Sequence, residues 1–160
     1  MRILLAAIGK MKHGPERDLC ARYVDRAAAS ARQAGLTGIE LREFSESQAR
    51  NTTERMGEEA RSLLPLVAGG ARLIVLDERG KSLTSEAFAD DIARARDGGL
   101  PAYVLALGGP DGHGAELRDR ADMLVAFGAM TWPHQLARIM AAEQIYRAIT
   151  ILTGHPYHRA

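Results

Sequence analysis

Two imidazoles, a phenol and a guanidinium fall within five residues near the carboxyl end of the chain: His155, Tyr157, His158 and Arg159, interrupted by Pro156. Imidazole and phenol groups move protons, an aromatic ring stacks on a nucleobase, and a guanidinium holds a phosphate or a developing negative charge. On those grounds the four are candidate catalytic residues. Read as an ordinary terminus, the same run is a polar end behind a helix stop at Gly154 and Pro156.

Two other segments have the composition of a pocket wall. Gly108-Gly109-Pro110-Asp111-Gly112 puts three glycines in five residues directly behind an apolar stretch. Glycine lets backbone approach a ligand closely and leaves N–H and C=O groups free to bond it. The plainer reading is a Pro-Asp-Gly turn leading into a helix. No Gly-Lys-Ser/Thr follows and no Gly-x-Gly-x-x-Gly is present, so the loop is neither a P-loop nor a dinucleotide fingerprint. Residues 128–135 are uncharged apart from His134 and contain the single Trp. That composition suits a pocket wall, although Thr131 and Pro133 also make a simple helix start.

Other chemistries lack their residues. The five His show no metal-ligand spacing, and His155 and His158 have no third ligand nearby. Cysteine occurs once, at Cys20, which rules out an internal disulfide and a Cys-based zinc site. Its place within an expected helix makes it a buried structural thiol. The Gly-x-Ser-x-Gly elbow of α/β hydrolases is missing. His13 and His113 lie among charged or glycine residues and are expected in solvent.

Alternating strands and helices must position these groups. Apolar or alternating runs predict strands at 2–8, 39–44, 72–76, 102–107 and, weakly, 123–127. A polar loop is expected at 77–81. Helices are expected from Pro15 to about Ala34, from an Asn51 cap to Pro65, from a Thr84 or Ser85 cap to Gly98, over 115–121 and over 133–153. The pattern means an α/β fold with a mainly parallel sheet. Ligands of such sheets sit beyond the carboxyl ends of the strands, which selects the loops behind Leu76, Leu107 and Phe127.

The chain of 160 residues fits one domain, and 46% hydrophobic with 26% charged residues excludes a disordered or collagen-like chain. No apolar stretch reaches the roughly 18 residues of a membrane span. The opening run is too short for a secretory signal, and a lone thiol suits a reducing cytosol, so a cytoplasmic location is expected. A net charge of +1 leaves nucleic-acid binding to a local patch or a second subunit.

Five segments in order carry a resemblance: Leu76-Asp77-Glu78-Arg79-Gly80-Lys81, Leu107 to Gly112, Thr131-Trp132-Pro133-His134-Gln135-Leu136-Ala137-Arg138, Gln144-Ile145-Tyr146-Arg147-Ala148, and His155 to Arg159. Together they make the chain similar, over essentially its whole length, to the ribosomal RNA large subunit methyltransferase H (RlmH) family of the SPOUT superfamily. The resemblance implies a single α/β domain over 1–160 with a C-terminal trefoil knot, acting as a homodimer. It implies S-adenosylmethionine as methyl donor, no metal, and N3 of a pseudouridine in 23S rRNA as acceptor. Cofactor contacts carry over onto Leu76, Gly108, Phe127, Gly128, Ala129, Met130, Thr131 and Trp132, where Trp132 replaces an aliphatic residue. His155, Tyr157, His158 and Arg159 would form the substrate side, facing those loops.

The last helix has an apolar stripe of Leu136, Ile139, Met140, Ile145, Tyr146, Ile149, Ile151 and Leu152, wider than one core face requires. It reads as a subunit interface or as a fully buried helix. Two other functions stay open: a module that holds a nucleotide or flavin without catalysis, and a related methyltransferase acting on tRNA or another rRNA nucleotide.

Overall fold

The computed structural model describes residues 1–158. Strand β1 (Arg2–Ile8) is buried along nearly its whole length, as a strand between two helical layers must be. Beside it run β2 (Gly38–Phe44), β3 (Arg72–Lys81), β4 (Ala102–Leu107) and β5 (Met123–Val125). All are parallel, in the order β2-β1-β4-β3-β5. Alternate side chains feed two cores. Ile3, Leu5, Ile74, Tyr103 and Leu105 pack toward α1 (Pro15–Ser30), α3 (Ser85–Asp97) and α5 (His134–Leu152). Leu4, Ile8, Leu73, Val75 and Val104 pack toward α2 (Thr52–Leu63) and α4 (Ala115–Arg120).

The helix ends follow the sequence signals. Asn51 Oδ1 accepts from the Glu54 N–H at 2.8 Å, and Thr84 Oγ1 from the Ala87 N–H at 3.1 Å. The first helix tightens into a 3₁₀ turn at Ala31–Ala34, closed by Gly35 in the left-handed region. Cys20 is buried, and burial pushes its thiol pKa up.

Two expectations needed correction. The charged run 77–81 is not a free loop: β3 continues through it as a bulge, and Leu76 and Lys81 both pair with Val125. Gly80 makes this possible, because a Cβ there would lie 2.4 Å from the Val125 carbonyl carbon. The apolar stripe of α5 is also largely used within the chain. Ile139, Ile145, Tyr146 and Ile149 are buried in the core shared with α1 and α3, Met140, Ile151 and Leu152 are half-buried, and Leu136 is exposed. Core packing therefore accounts for most of the stripe.

At the opposite end of the sheet from the strand-end loops, Asp91 of α3 is buried. It accepts from Arg72 Nε at 2.9 Å, Arg72 NH2 at 2.8 Å and the Tyr103 hydroxyl at 2.9 Å. Burial by itself would raise the Asp91 pKa, but the Arg72 and Tyr103 bonds outweigh it and hold the carboxyl below its ordinary value. A depressed folded-state pKa gives stability that is present above the unfolded value, about 3.9, and lost as pH falls through the folded one. Asp91→Ala strips the buried Tyr103 hydroxyl and Arg72 of their acceptor, and is expected to cost about 3 kcal/mol in chemical denaturation. That loss shrinks as the pH is taken below about 4.

Candidate active site

Because the sheet is parallel, β3, β4 and β5 end side by side, and the loops behind them enclose a cleft of about 540 Å³. One wall follows β4. There the Gly112 N–H donates to the Gly109 carbonyl at 2.9 Å, closing a turn around Pro110 and Asp111. Gly112 sits at φ 75°, a conformation that favours glycine. Arg55 of α2 pins the turn, its Nε lying 2.6 Å from Asp111 Oδ2. The segment is thus both a Pro-Asp-Gly turn and a wall of the cleft.

The second wall is the loop behind β5. The Trp132 indole N–H donates to the Phe127 carbonyl at 3.1 Å and cinches residues 127–132 into a closed loop. Met130, at its tip, is 77% exposed. The buried Arg138 guanidinium, also on the cleft lining, donates to the Ile8 carbonyl at 2.9 Å and lies 2.5 Å from Glu43 Oε1. It ties α5 to the ends of β1 and β2. Leu76, Gly108, Phe127, Gly128, Ala129, Met130, Thr131 and Trp132 all line this one cleft.

The tail lies elsewhere. The Tyr157 hydroxyl donates to Glu143 Oε1 at 3.0 Å, its ring is 4.7 Å from that of Tyr146, and the Arg147 guanidinium lies 4.9 Å from its centre. His158 Nε2 is 2.9 Å from Glu86 Oε1 on α3, and exposed His155 accepts the Tyr157 N–H at Nδ1. Burial, followed by bonds with Tyr23 and Glu143, raises the Tyr157 pKa, so the phenol stays protonated at neutral pH. None of His155, Tyr157 and His158 lines the cleft. Within one chain, therefore, these three residues lie outside the cleft. Arg159 lies outside the described residues. Glu143 and Arg147 line a second cavity of about 670 Å³, which shares Leu76, Phe127 and Gly128 with the cleft.

Three cleft residues escaped the sequence reading. His113, expected in solvent, is only 5% exposed. Its glycine neighbours allow the backbone to double back and bury the imidazole. Burial lowers its pKa to about 4 against the opposing pull of Asp77 and a bond to the Ala106 carbonyl. The ring is neutral, and Nε2 has no hydrogen-bond partner. Asp77 falls in the polar loop expected at 77–81 and Arg118 in the helix expected over 115–121. The bulge in β3 brings Asp77 Oδ2 to 4.0 Å from Arg118 NH1, and Arg118 also bonds the His113 carbonyl. Among the described residues no cluster of three His, Cys, Asp or Glu could hold a metal.

A backbone-walled cleft at three adjacent parallel strand ends defines a class. The family model described as "Predicted SPOUT methyltransferase" matches residues 1–158. A solved structure, the A. aeolicus TrmH/SpoU tRNA modifying enzyme, shares the fold at a TM-score of 0.51 and 17% identity, over 99% of this chain and 81% of that one. The chain is 54% identical to the ribosomal RNA large subunit methyltransferase H of Chelativorans sp. (strain BNC1), over 99% of this chain and 91% of that protein. It is 53% identical, over the full length of both, to the protein of that name from Xanthobacter autotrophicus (strain ATCC BAA-1158 / Py2). The chain belongs to the ribosomal RNA large subunit methyltransferase H family, within the SPOUT methyltransferases.

Proposed function

We propose that this protein methylates N3 of a pseudouridine in 23S rRNA, with S-adenosylmethionine as donor, as a cytoplasmic homodimer that acts on the ribosome and not at a membrane. In this reading residues 1–160 form one domain knotted in its C-terminal part. The observation that carries the reading is the convergence of Leu76, Gly108 and residues 127–132 on one cleft in a chain of this family. The cleft fits the donor: about 540 Å³ is in the range of small-molecule sites, and glycine and apolar walls suit an adenosine. No described helix is long and apolar enough to cross a membrane.

When bound, S-adenosylmethionine supplies an electrophilic methyl on its sulfonium. The protein must align the acceptor with that methyl and take up the imide proton that N3 releases. Tyr157, held protonated as a donor to Glu143, is not that base; His155 and His158 are the candidates, with Arg159 balancing charge that develops on the base. Because His155, Tyr157 and His158 do not line the cleft of their own chain, a second copy is the natural source of a tail for it. Exposed Met130, Trp132 and Leu136 near the cleft provide apolar surface for that copy. Exposed Lys10, Lys12, Arg79 and Lys81, in loops or strand ends on the same side of the sheet, provide phosphate contacts.

The test is transfer of tritiated methyl from S-adenosylmethionine to ribosomes with and without pseudouridine. Pseudouridine-dependent labelling of large-subunit RNA is expected. Cofactor binding without labelling of either particle would point to another RNA. A protein that does not bind the cofactor would return the cleft to the non-catalytic reading.

A further inference from the structure

Two ionisable groups of the cleft lining are held in close ion pairs: Asp111 by Arg55, and Arg138 by Glu43. Asp77, His113 and Arg118 are engaged only in part, Arg118 through its bond to the His113 carbonyl. Asp77 Oδ1 accepts the Arg79 N–H at 3.0 Å, but its Oδ2 stops 4.0 Å from Arg118 NH1, too far for a hydrogen bond. His113 has a buried Nε2 with no hydrogen-bond partner, and a neutral ring that donates through Nδ1 leaves this nitrogen as an acceptor. Buried polar atoms without partners are rare and point to a missing ligand.

We propose that Asp77, His113 and Arg118 form the subsite for the zwitterionic amino-acid end of S-adenosylmethionine: the Asp77 carboxylate and His113 Nε2 accept from its α-ammonium, and the Arg118 guanidinium donates to its α-carboxylate. This rests on the methyltransferase reading above. The donor has one end that needs apolar and backbone surroundings and another that carries two opposite charges. Taking those charges from water is costly unless each meets a partner. The walls at 108–112 and 127–132 offer glycine, alanine and aromatic surface, which suits the adenosine alone. Asp77, His113 and Arg118 gather a carboxylate, a neutral acceptor and a guanidinium on the lining of the same cleft, with the carboxylate and the guanidinium 4.0 Å apart. Neutrality of the imidazole matters here. An imidazolium would repel the ammonium, and burial keeps His113 uncharged through the physiological range. The β3 bulge positions Asp77 for this, since an unbroken strand would set it in register with β5 and not at the cleft.

Calorimetric titration of the full-length protein with two ligands tests the proposal. S-Adenosylhomocysteine carries the amino-acid end, whereas 5′-methylthioadenosine keeps the adenosine and thioether and lacks it. Failure of the unmutated protein to bind either ligand would reject the methyltransferase reading itself. Given binding, the unmutated protein should hold S-adenosylhomocysteine the more tightly. Asp77→Asn and His113→Leu should each weaken S-adenosylhomocysteine by about tenfold. Methylthioadenosine should stay within about twofold in both variants. Equal loss on both ligands, no loss on either, or equal affinity of the unmutated protein for the two would overturn the subsite. Asp77 also braces the bulge through Arg79, so Arg118→Met supplies the same comparison from the opposite charge should Asp77→Asn fold poorly in a melting measurement.

Discussion

Ending the chain at Gly154 is expected to lower methyl transfer by about 10³-fold or more, with S-adenosylhomocysteine affinity held within about twofold. The two effects separate because the candidate cofactor contacts and the candidate proton-transfer groups occupy different places: the former line the cleft, whereas Tyr157 and His158 rest against α5 and α3. Truncation also removes the packing of Tyr157 on Tyr146, so the variants Tyr157→Phe and His158→Ala, which keep most of that packing, should accompany it. The sharper form of the prediction uses mixtures. A tail-truncated chain retains a working cleft, and a Gly108→Val chain retains a working tail. If a tail serves the other subunit's cleft, each is inactive alone. Reassembly of equal amounts makes half the dimers mixed, with one complete site in two, so about a quarter of unmutated activity returns. If each tail serves its own cleft, no mixed dimer contains a complete site and nothing returns. Turnover retained by the truncated chain alone would remove the tail from the mechanism.

How much of this was legible depends on whether local residue types or distant contacts decide the structure. The strand at Ala102–Leu107 and the caps at Asn51 and Thr84 follow from neighbouring residues and appear at the expected positions. The loops behind Leu76, Leu107 and Phe127 follow from topology, because parallel strands must end together. Failures come where a distant partner overrides composition. Residues 77–81 are charged and read as a loop, yet Val125 recruits Lys81 into the sheet because Gly80 has no side chain to keep the strands apart. His113 is polar between glycines and reads as exposed, yet the turn that those glycines permit buries it. The stripe on α5 looked too wide for one core face, but a terminal helix lying between α1 and α3 needs apolar groups on two sides. No local signal in the tail could show that Tyr157 would dock on Glu143 and Tyr146 of its own chain.

Gly108→Val is the substitution with the largest expected effect on the cleft itself. A Cβ at Gly108 would lie 2.9 Å from both the carbonyl carbon and the oxygen of Gly112. Those atoms belong to the closed turn that forms one wall, so no flexible side chain can yield and the turn must move as a unit. A Cβ built on the neighbouring Gly109 would lie 3.1 Å from Ile8 Cγ2 and 3.2 Å from Glu59 Oε2, so that side is crowded as well. The wall therefore shifts toward the open space of the cleft. Affinity for S-adenosylhomocysteine is expected to fall by about a hundredfold in calorimetry. Overpacking of this kind costs about 1–3 kcal/mol in stability, which a folded domain of this size withstands. Gly112→Ala provides the contrast. Its Cβ would meet nothing within 4 Å, so the cost is backbone strain at φ 75°, on the order of 1 kcal/mol, with the wall left near its place. Cofactor affinity should then fall much less than in Gly108→Val. The ordering matters more than either value: equal affinities in the two variants would mean that the position of this wall does not decide how the cofactor is held.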